Sequence, residues 1–342
     1  TQGVSSAASD VYKRQIYSML VWTGTDLDIR DYKNYWLKKN EVQNWPNKVW
    51  YDNPYFIANE IIQSSDYDVV NGFMNAKYDF TPWLRASLRT GVDMYTEREI
   101  WRNSIGAYGG WDKKGYYEEQ RKGGYSINND IIISADKKFG DFSIDGFVGT
   151  TLYFYQDDVL NGKTSNGITI PGYYSLKASV DPAKVYSTIK KKQVNSLYGK
   201  ASGSWKSTLF LDITARNDWS STLPAETRSY FYPSISGSLV ISELFNMPKW
   251  FDFWKIRASW TQTKSDLGIY DTDRSYSIST NLWDNMNGAT YPTTMRNTLV
   301  EPSATRTYEI GTGMHFFKNR LQVDIAYYNK PVSYTHLTLP TI

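Results

Sequence analysis

Few residues of this chain have the types and spacing that bond chemistry requires. Cysteine is absent and histidine occurs twice. No thiolate nucleophile, disulfide framework, zinc ribbon or iron–sulfur cluster can therefore be built. A Ser–His–acid site needs a histidine held between a hydroxyl and a carboxylate. Outside 331–342 the one histidine is His315, on the polar register of a predicted strand. Asp157-Asp158 offers two carboxylates for acid–base work, but neighbouring loop residues point apart, and the pair reads as a solvated turn. Asp271-Thr272-Asp273-Arg274-Ser275 resembles a calcium loop with the glycine and distal glutamate out of place. No glycine-rich strand-to-helix phosphate loop occurs, and Gly109-Gly110 and Gly123-Gly124 read as loop turns. No catalytic residue, metal or cofactor is expected. What remains is binding and conduction. Trp101, Tyr108, Trp111, Tyr116 and Tyr117 have rings that can stack on sugars or pack a ligand's apolar parts; they can equally pack a large loop or form an interfacial girdle. Arg85, Arg89, Lys255 and Arg257 can line a solute path, or simply balance Asp93 and Asp212.

The elements that would position these residues are strands. From 83 to 95 one register reads Leu84, Ala86, Leu88, Thr90, Val92, Met94, and the other Arg85, Ser87, Arg89, Gly91, Asp93, Tyr95. Successive strand side chains point to opposite faces, so one face is apolar and the other charged. Leu209, Leu211 and Ile213 oppose Asp212, Thr214 and Arg216; Ile256, Ala258 and Trp260 oppose Lys255, Arg257 and Ser259; Leu321, Val323 and Ile325 oppose Gln322 and Asp324. Ten strands are predicted over 69–80, 83–100, 125–139, 142–156, 192–205, 207–219, 229–241, 254–264, 306–318 and 320–329. Weaker strand candidates lie at 16–22, 55–63 and 168–176. Tight turns fall at Thr81-Pro82, Gly140-Asp141, Lys206 and Asn319, with a connection over 242–248. Long connections are expected over 101–124, 157–191, 220–228 and 265–305. Short connections at one end and long ones at the other are the signature of an antiparallel outer-membrane β-barrel, with the short end periplasmic.

Composition agrees. The 28 Tyr and 13 Trp carry an apolar ring with a polar tip, which suits membrane interfaces and ligand surfaces. A net charge of +3 with no basic recognition element gives no reason to expect nucleic acid, and Lys190-Lys191-Lys192 reads as a solvated loop end. Mean hydropathy is -0.53. A barrel hides from such averages because only every second residue faces lipid. No run approaches the ~18 apolar residues of a membrane helix. A soluble sandwich also uses period-two strands, but a sealed core would not accept repeated unpaired Arg, Lys and Asp on its inner face.

Both ends differ from the rest. Residues 4–15 and 331–342 resemble translated adapter strings from metagenomic assemblies, so 1–15 and 331–342 are expected to be non-native tails that pair with nothing, and 16–330 to be the working sequence. Within it, Asn53-Pro54-Tyr55-Phe56, Lys77-Tyr78-Asp79-Phe80-Thr81-Pro82-Trp83-Leu84 and Gly167-Ile168-Thr169-Ile170-Pro171-Gly172-Tyr173-Tyr174 appear in that order. Arg216-Asn217-Asp218-Trp219-Ser220-Ser221-Thr222-Leu223-Pro224 and Tyr230-Phe231-Tyr232-Pro233-Ser234 follow. Trp254-Lys255-Ile256-Arg257-Ala258-Ser259-Trp260, Tyr308-Glu309-Ile310-Gly311 and Asn319-Arg320-Leu321 complete the series. This ordered set resembles the barrel of SusC/RagA-type TonB-dependent outer-membrane transporters, departing at Leu299-Val300-Glu301-Pro302, where the family has a Leu-x-Pro-Glu order.

The resemblance implies an all-β, antiparallel membrane barrel. Barrels of this kind close with about 22 strands, so ten to thirteen make an open, curved part of the wall, with Leu84, Leu88, Val92, Leu209, Leu211, Ile213, Ile256, Ala258, Leu321 and Val323 on its lipid face. It implies import of oligosaccharides or peptides across the outer membrane of a Gram-negative, Bacteroidota-like bacterium. It also implies a SusD-like lipoprotein lid, and TonB engagement through an N-terminal part outside this sequence. The piece alone is expected to transport nothing. A passive porin and a surface glycan-binding or adhesin module are the alternatives.

Overall fold

A computed structural model describes residues 21, 23–48, 51–108, 113–273, 275–283, 286–292, 296–297 and 299–333. After a short hairpin of β1 (Trp36–Lys38) and β2 (Val42–Gln43) comes one helix, α1 (Pro54–Glu60). Long strands follow: β3 (Ile61–Thr81), β4 (Leu84–Ile105), β5 (Lys114–Phe139), β6 (Phe142–Ile168) and β7 (Ser179–Trp205). Shorter ones complete the chain: β8 (Leu209–Ser220), β9 (Ser229–Val240), β10 (Phe251–Ser265), the hairpin β11 (Ser277–Trp283) and β12 (Met286–Thr290), β13 (Ser303–Phe316), β14 (Leu321–Asn329) and β15 (Val332–Ser333). One sheet carries ten of them in the order β14-β13-β10-β9-β8-β7-β6-β5-β4-β3, with β15 also on β13. The path is open: it ends on β3 and β14, which do not pair with each other.

All ten strands expected from alternation are present, and the tight turns fall where expected. Lys206 and Ser207 both take positive φ, with Thr208 N–H donating to Trp205 C=O, and this closes the three-residue turn between the paired Trp205 and Leu209. Four expectations are corrected. The connections 101–124 and 157–191 shrink to 106–113 and 169–178, because β4 to β7 run on past the alternating segments. Gly123-Gly124 and Asp157-Asp158 therefore lie in strands β5 and β6. The candidate at 55–63 is helix α1 followed by the start of β3: Asn53 caps it through Oδ1 and Pro54 occupies its first turn. The candidate at 168–176 is turn, and that at 16–22 lies almost wholly outside the described residues. Finally, Val332 and Ser333 pair with Thr305 and Ala304 of β13, so the start of the 331–342 segment is not unpaired.

The chain forms two compact units whose boundary cuts across β3 to β7. The first holds β1, β2, α1 and the loop-side ends of β3–β7; it contains Trp45, Tyr51, Phe56 and Tyr117 among its buried side chains. The second holds the rest of those strands and β8–β15. Its buried apolar residues among those described are Leu223, Tyr230, Val240 and Val300, at loop and strand ends.

Candidate functional site

In the second unit, cross-strand register sorts the side chains onto two faces. Leu211, Gly237, Ala258, Ile310 and Tyr327 form one cross-strand row over five strands. Leu209, Leu239, Ile256, Thr312 and Ile325 form the next, and Ile213, Ile235, Trp260 and Tyr308 a third. These residues share a face that none of the described residues covers: Leu211, Ile256 and Ile310 are 45%, 39% and 61% exposed. The expected register of Leu209, Leu211, Ile213, Ile256, Ala258, Leu321 and Val323 holds. The one aliphatic hydroxyl among these rows is satisfied, since Thr312 Oγ1 accepts from Trp254 Nε1 at 3.0 Å and donates to Lys255 C=O. Aromatic residues bound this face. Trp250, Phe251, Phe316 and Phe317 cluster at the short-turn end, and Trp260 pairs Tyr308 towards the other. From Phe316 to Tyr308 the strand rises about 27 Å.

The opposite face is hydroxyl-rich and charged. Ser202, Asp212, Ser236, Ser259 and Glu309 form one row across it, and Lys200, Thr214, Ser234, Thr261 and Thr307 the next. Asp212 accepts from Ser202 Oγ at 2.6 Å and pairs with Lys200 at 3.1 Å. The three arginines singled out from the sequence lie here, each already matched. Arg85 pairs with Asp79. Arg89 donates through Nε and Nη2 to Asp130, whose other oxygen accepts from Thr151 Oγ1. Arg257 grips Asp324 with both terminal nitrogens at 2.9 and 2.8 Å, above a strand position where Gly311 leaves room for the guanidinium. The balancing partners are thus neighbours in the sheet, not the Asp93 and Asp212 expected. Asp93 accepts instead from Ser126 Oγ. Lys255 lies over the Phe210 ring, and His315 packs on Phe253 and hydrogen-bonds Asn319.

The most specific sequence stretch forms a knot on this polar face. Arg216 Nε donates to Asp218 Oδ1 at 2.8 Å, Tyr232 O–H donates to Asp218 Oδ2 at 2.6 Å, and the guanidinium lies over Tyr198. Ser220 and Thr222 donate to Asp266, which also pairs with Lys192 at 2.7 Å. Lys190-Lys191-Lys192 is therefore strand, with one lysine engaged. Tyr232→Phe removes a hydrogen bond to a carboxylate worth about 1.5–3 kcal/mol. A lowered urea midpoint for unfolding is the expected result.

The aromatic candidates belong to the first unit. Trp111 lies outside the described residues. Trp101 sits half-buried on β4. Tyr116 and Tyr117 are adjacent on β5 and so face opposite sides; Tyr116 donates to Glu118, and the buried Tyr117 donates to Glu119 at 3.0 Å. Tyr108 belongs to a closed network that sequence reasoning missed. Its N–H donates to Asp52 Oδ1, and its hydroxyl accepts from Gln43 N–H. Gln43 Nε2 donates to Asp52 and to Gly106 C=O, both at 2.7 Å, and Asn53 Nδ2 donates to the carbonyls of Tyr32 and Asn44. Phe56 fills the centre against Trp36 at 5.1 Å. Glu60 gathers Tyr35, Trp36 and Ser104, and Ser104 also meets Tyr174. Burial pushes the Tyr174 and Tyr35 phenols up, so both stay protonated through the physiological range. The Asn53-Pro54 pair, a cap followed by a first-turn proline, was the available signal.

No protein-family model and no curated protein sequence matches the chain. Among solved structures it is similar to the RagAB peptide transporter, with a TM-score of 0.74 at 17% identity, over 82% of this chain and 32% of the other. The RagAB peptide importer in its "closed-closed" state gives 0.72 at 17% identity, covering 82% and 32%. Its "open-open" state gives 0.71 at 18% identity, covering 82% and 31%. The fold is thus shared with a transporter, and the chain spans about a third of the length of the structures it matches.

Proposed function

We propose that this chain is part of the wall of a SusC/RagA-type, TonB-dependent importer in the outer membrane, and that it does no bond chemistry. The observation that carries this is the uncovered apolar face, in register over five strands and bounded by aromatics, backing a polar face of hydroxyls and matched charges. Lipid satisfies the first face and a water-filled lumen the second. A soluble adhesin would instead seal its apolar face against a second sheet. The sequence motifs and the likeness to the RagAB transporter support the same reading. Oligosaccharides or peptides are the proposed cargo, peptides being what RagAB is described as carrying. Arg85, Arg89 and Arg257 line the lumen as paired charges, and Trp101, Tyr108, Tyr116 and Tyr117 sit towards the outer mouth, where a SusD-like lid would close. TonB would act through a part outside this sequence.

The open strand path leaves β3 and β14 with unpaired edge groups, which lipid penalises by several kcal/mol each. This polypeptide alone is therefore expected to conduct nothing in liposome-swelling assays, whereas the longer protein that carries it should fractionate with the outer membrane and shift on gels when heated. A longer protein found in the soluble fraction would remove the reading.

A further inference from the structure

On the lipid-facing register of the second unit, two hollows lie in line. The first is an apolar trough of about 650 Å³. Its floor is Gly237 and Ala258, which pair with each other, and its walls are Leu211 on one side and Ile310 on the other. The second, about 390 Å³, lies beyond Trp260 towards the long-connection end and is polar. Lys264 and Arg306 line it on the same outward register, one row apart, together with Glu226 and Glu301. Lys264 and Arg306 make no ion pair among the described residues, unlike Arg85, Arg89, Arg216 and Arg257 of this unit.

We propose that this strip, on β9, β10 and β13, is a binding site for one membrane lipid whose headgroup carries both a phosphate and an amine. The inference rests on the membrane-wall reading above. Lys264 and Arg306 are diagonal cross-strand neighbours, close enough to share one phosphate. Glu226 stands on the rim of the same hollow and receives the ammonium, so two cations and the carboxylates match a headgroup of both signs better than a simple anion. The acyl chain then runs past Trp260 and Tyr308 into the trough. The length agrees: six residues from Lys264 to Ala258 span about 20 Å, which at a tilt of about 40° is roughly 15 Å of depth, one half of the ~30 Å hydrocarbon core. Across β9, β10 and β13 bulky side chains stand in the neighbouring rows, Leu239 with Ile256 and Ile235 with Trp260, whereas Gly237 and Ala258 leave the row between them low.

The test uses the longer outer-membrane protein that carries this wall, purified in detergent with dioleoyl phosphatidylethanolamine, phosphatidylcholine or phosphatidylglycerol and read by native mass spectrometry. One phosphatidylethanolamine should be retained in preference to the other two. Lys264→Ala with Arg306→Ala should weaken that retention about thirtyfold, the effect of removing two basic charges at a membrane surface. Ala258→Leu should displace the lipid with no packing cost, because Ala258 faces outward and its substitution only fills the trough. Glu226→Gln should abolish the preference over phosphatidylglycerol. Equal retention of all three lipids, or retention unchanged in the double variant while the protein still shows its heat-dependent gel shift, overturns the site alone. Absence of the wild-type protein from the outer membrane overturns the wall reading and the site with it.

Discussion

Ile256→Arg should abolish outer-membrane assembly, while Ser236→Arg should leave it intact. Ile256 lies in mid-band on the uncovered face, between Leu239 and Thr312 in its row and two rows below Trp260. An arginine near the midplane of a barrel's lipid face costs about 2–4 kcal/mol, and from here its head must pass two rows of side chains to reach the interface. Ser236 is only one strand away but on the other face, with Asp212 on one side and Ser259, then Glu309, on the other. A new guanidinium there meets water and two carboxylates. Heat-dependent gel mobility of outer-membrane fractions reads both variants. Equal tolerance of the two substitutions would mean that the face of Ile256 does not meet lipid.

That contrast also explains how much of this fold could be read from sequence. On the proposed reading one face of β8, β9, β10, β13 and β14 meets lipid and the other water, so their residues alternate, and these strands were legible almost to their ends. On the same reading both faces are wet beyond the membrane, and the pattern has no reason to persist there. The last part of β6, Asp157 to Ile168, and the first part of β7, Ser179 to Lys191, mix Asp, Asn, Lys, Ser and Thr without period and read as loop. Pro182 adds to the impression, yet it sits where β7 extends past the reach of β8, whose pairing begins at Val194. A strand edge without a partner tolerates a residue that cannot donate.

Charges on the polar face were legible for the same reason, but their partners were not. Alternation says which side Arg257 faces; it says nothing about register with a strand 67 residues on, where Asp324 waits. Only a tight hairpin carries register in the sequence itself. The turn at Thr81-Pro82 sets Asp79 nearly opposite Arg85, and that one pairing was derivable. The network around Gln43, Asn53 and Glu60 is less legible still, because its partners come from the β1–β2 hairpin, the helix cap, the end of β4 and the connection after β6. None of these shows a period.

That network is where the largest local loss is expected. Phe56→Ala should release the segment from Tyr32 to Glu60 without unpairing β8 to β14. Phe56 is fully buried, edge-on to Trp36 and Tyr35, and its truncation costs about 3–5 kcal/mol through lost transfer energy and the cavity left behind. The neighbouring polar groups cannot collapse into that space. Gln43, Asp52 and Asn53 are each at most 2% exposed and hold one another in fixed directions, so a shift of α1 breaks several hydrogen bonds together. Asn53→Ala should mimic the effect by removing both the helix cap and two carbonyl contacts at 2.9 Å. Limited trypsin digestion reads the outcome: cleavage at Lys33, Lys38, Lys39 or Lys48 should accelerate in both variants, while heat-dependent gel mobility stays that of the parent. If Phe56→Ala leaves these sites protected, the packed hairpin and helix are held by something other than the Phe56 centre.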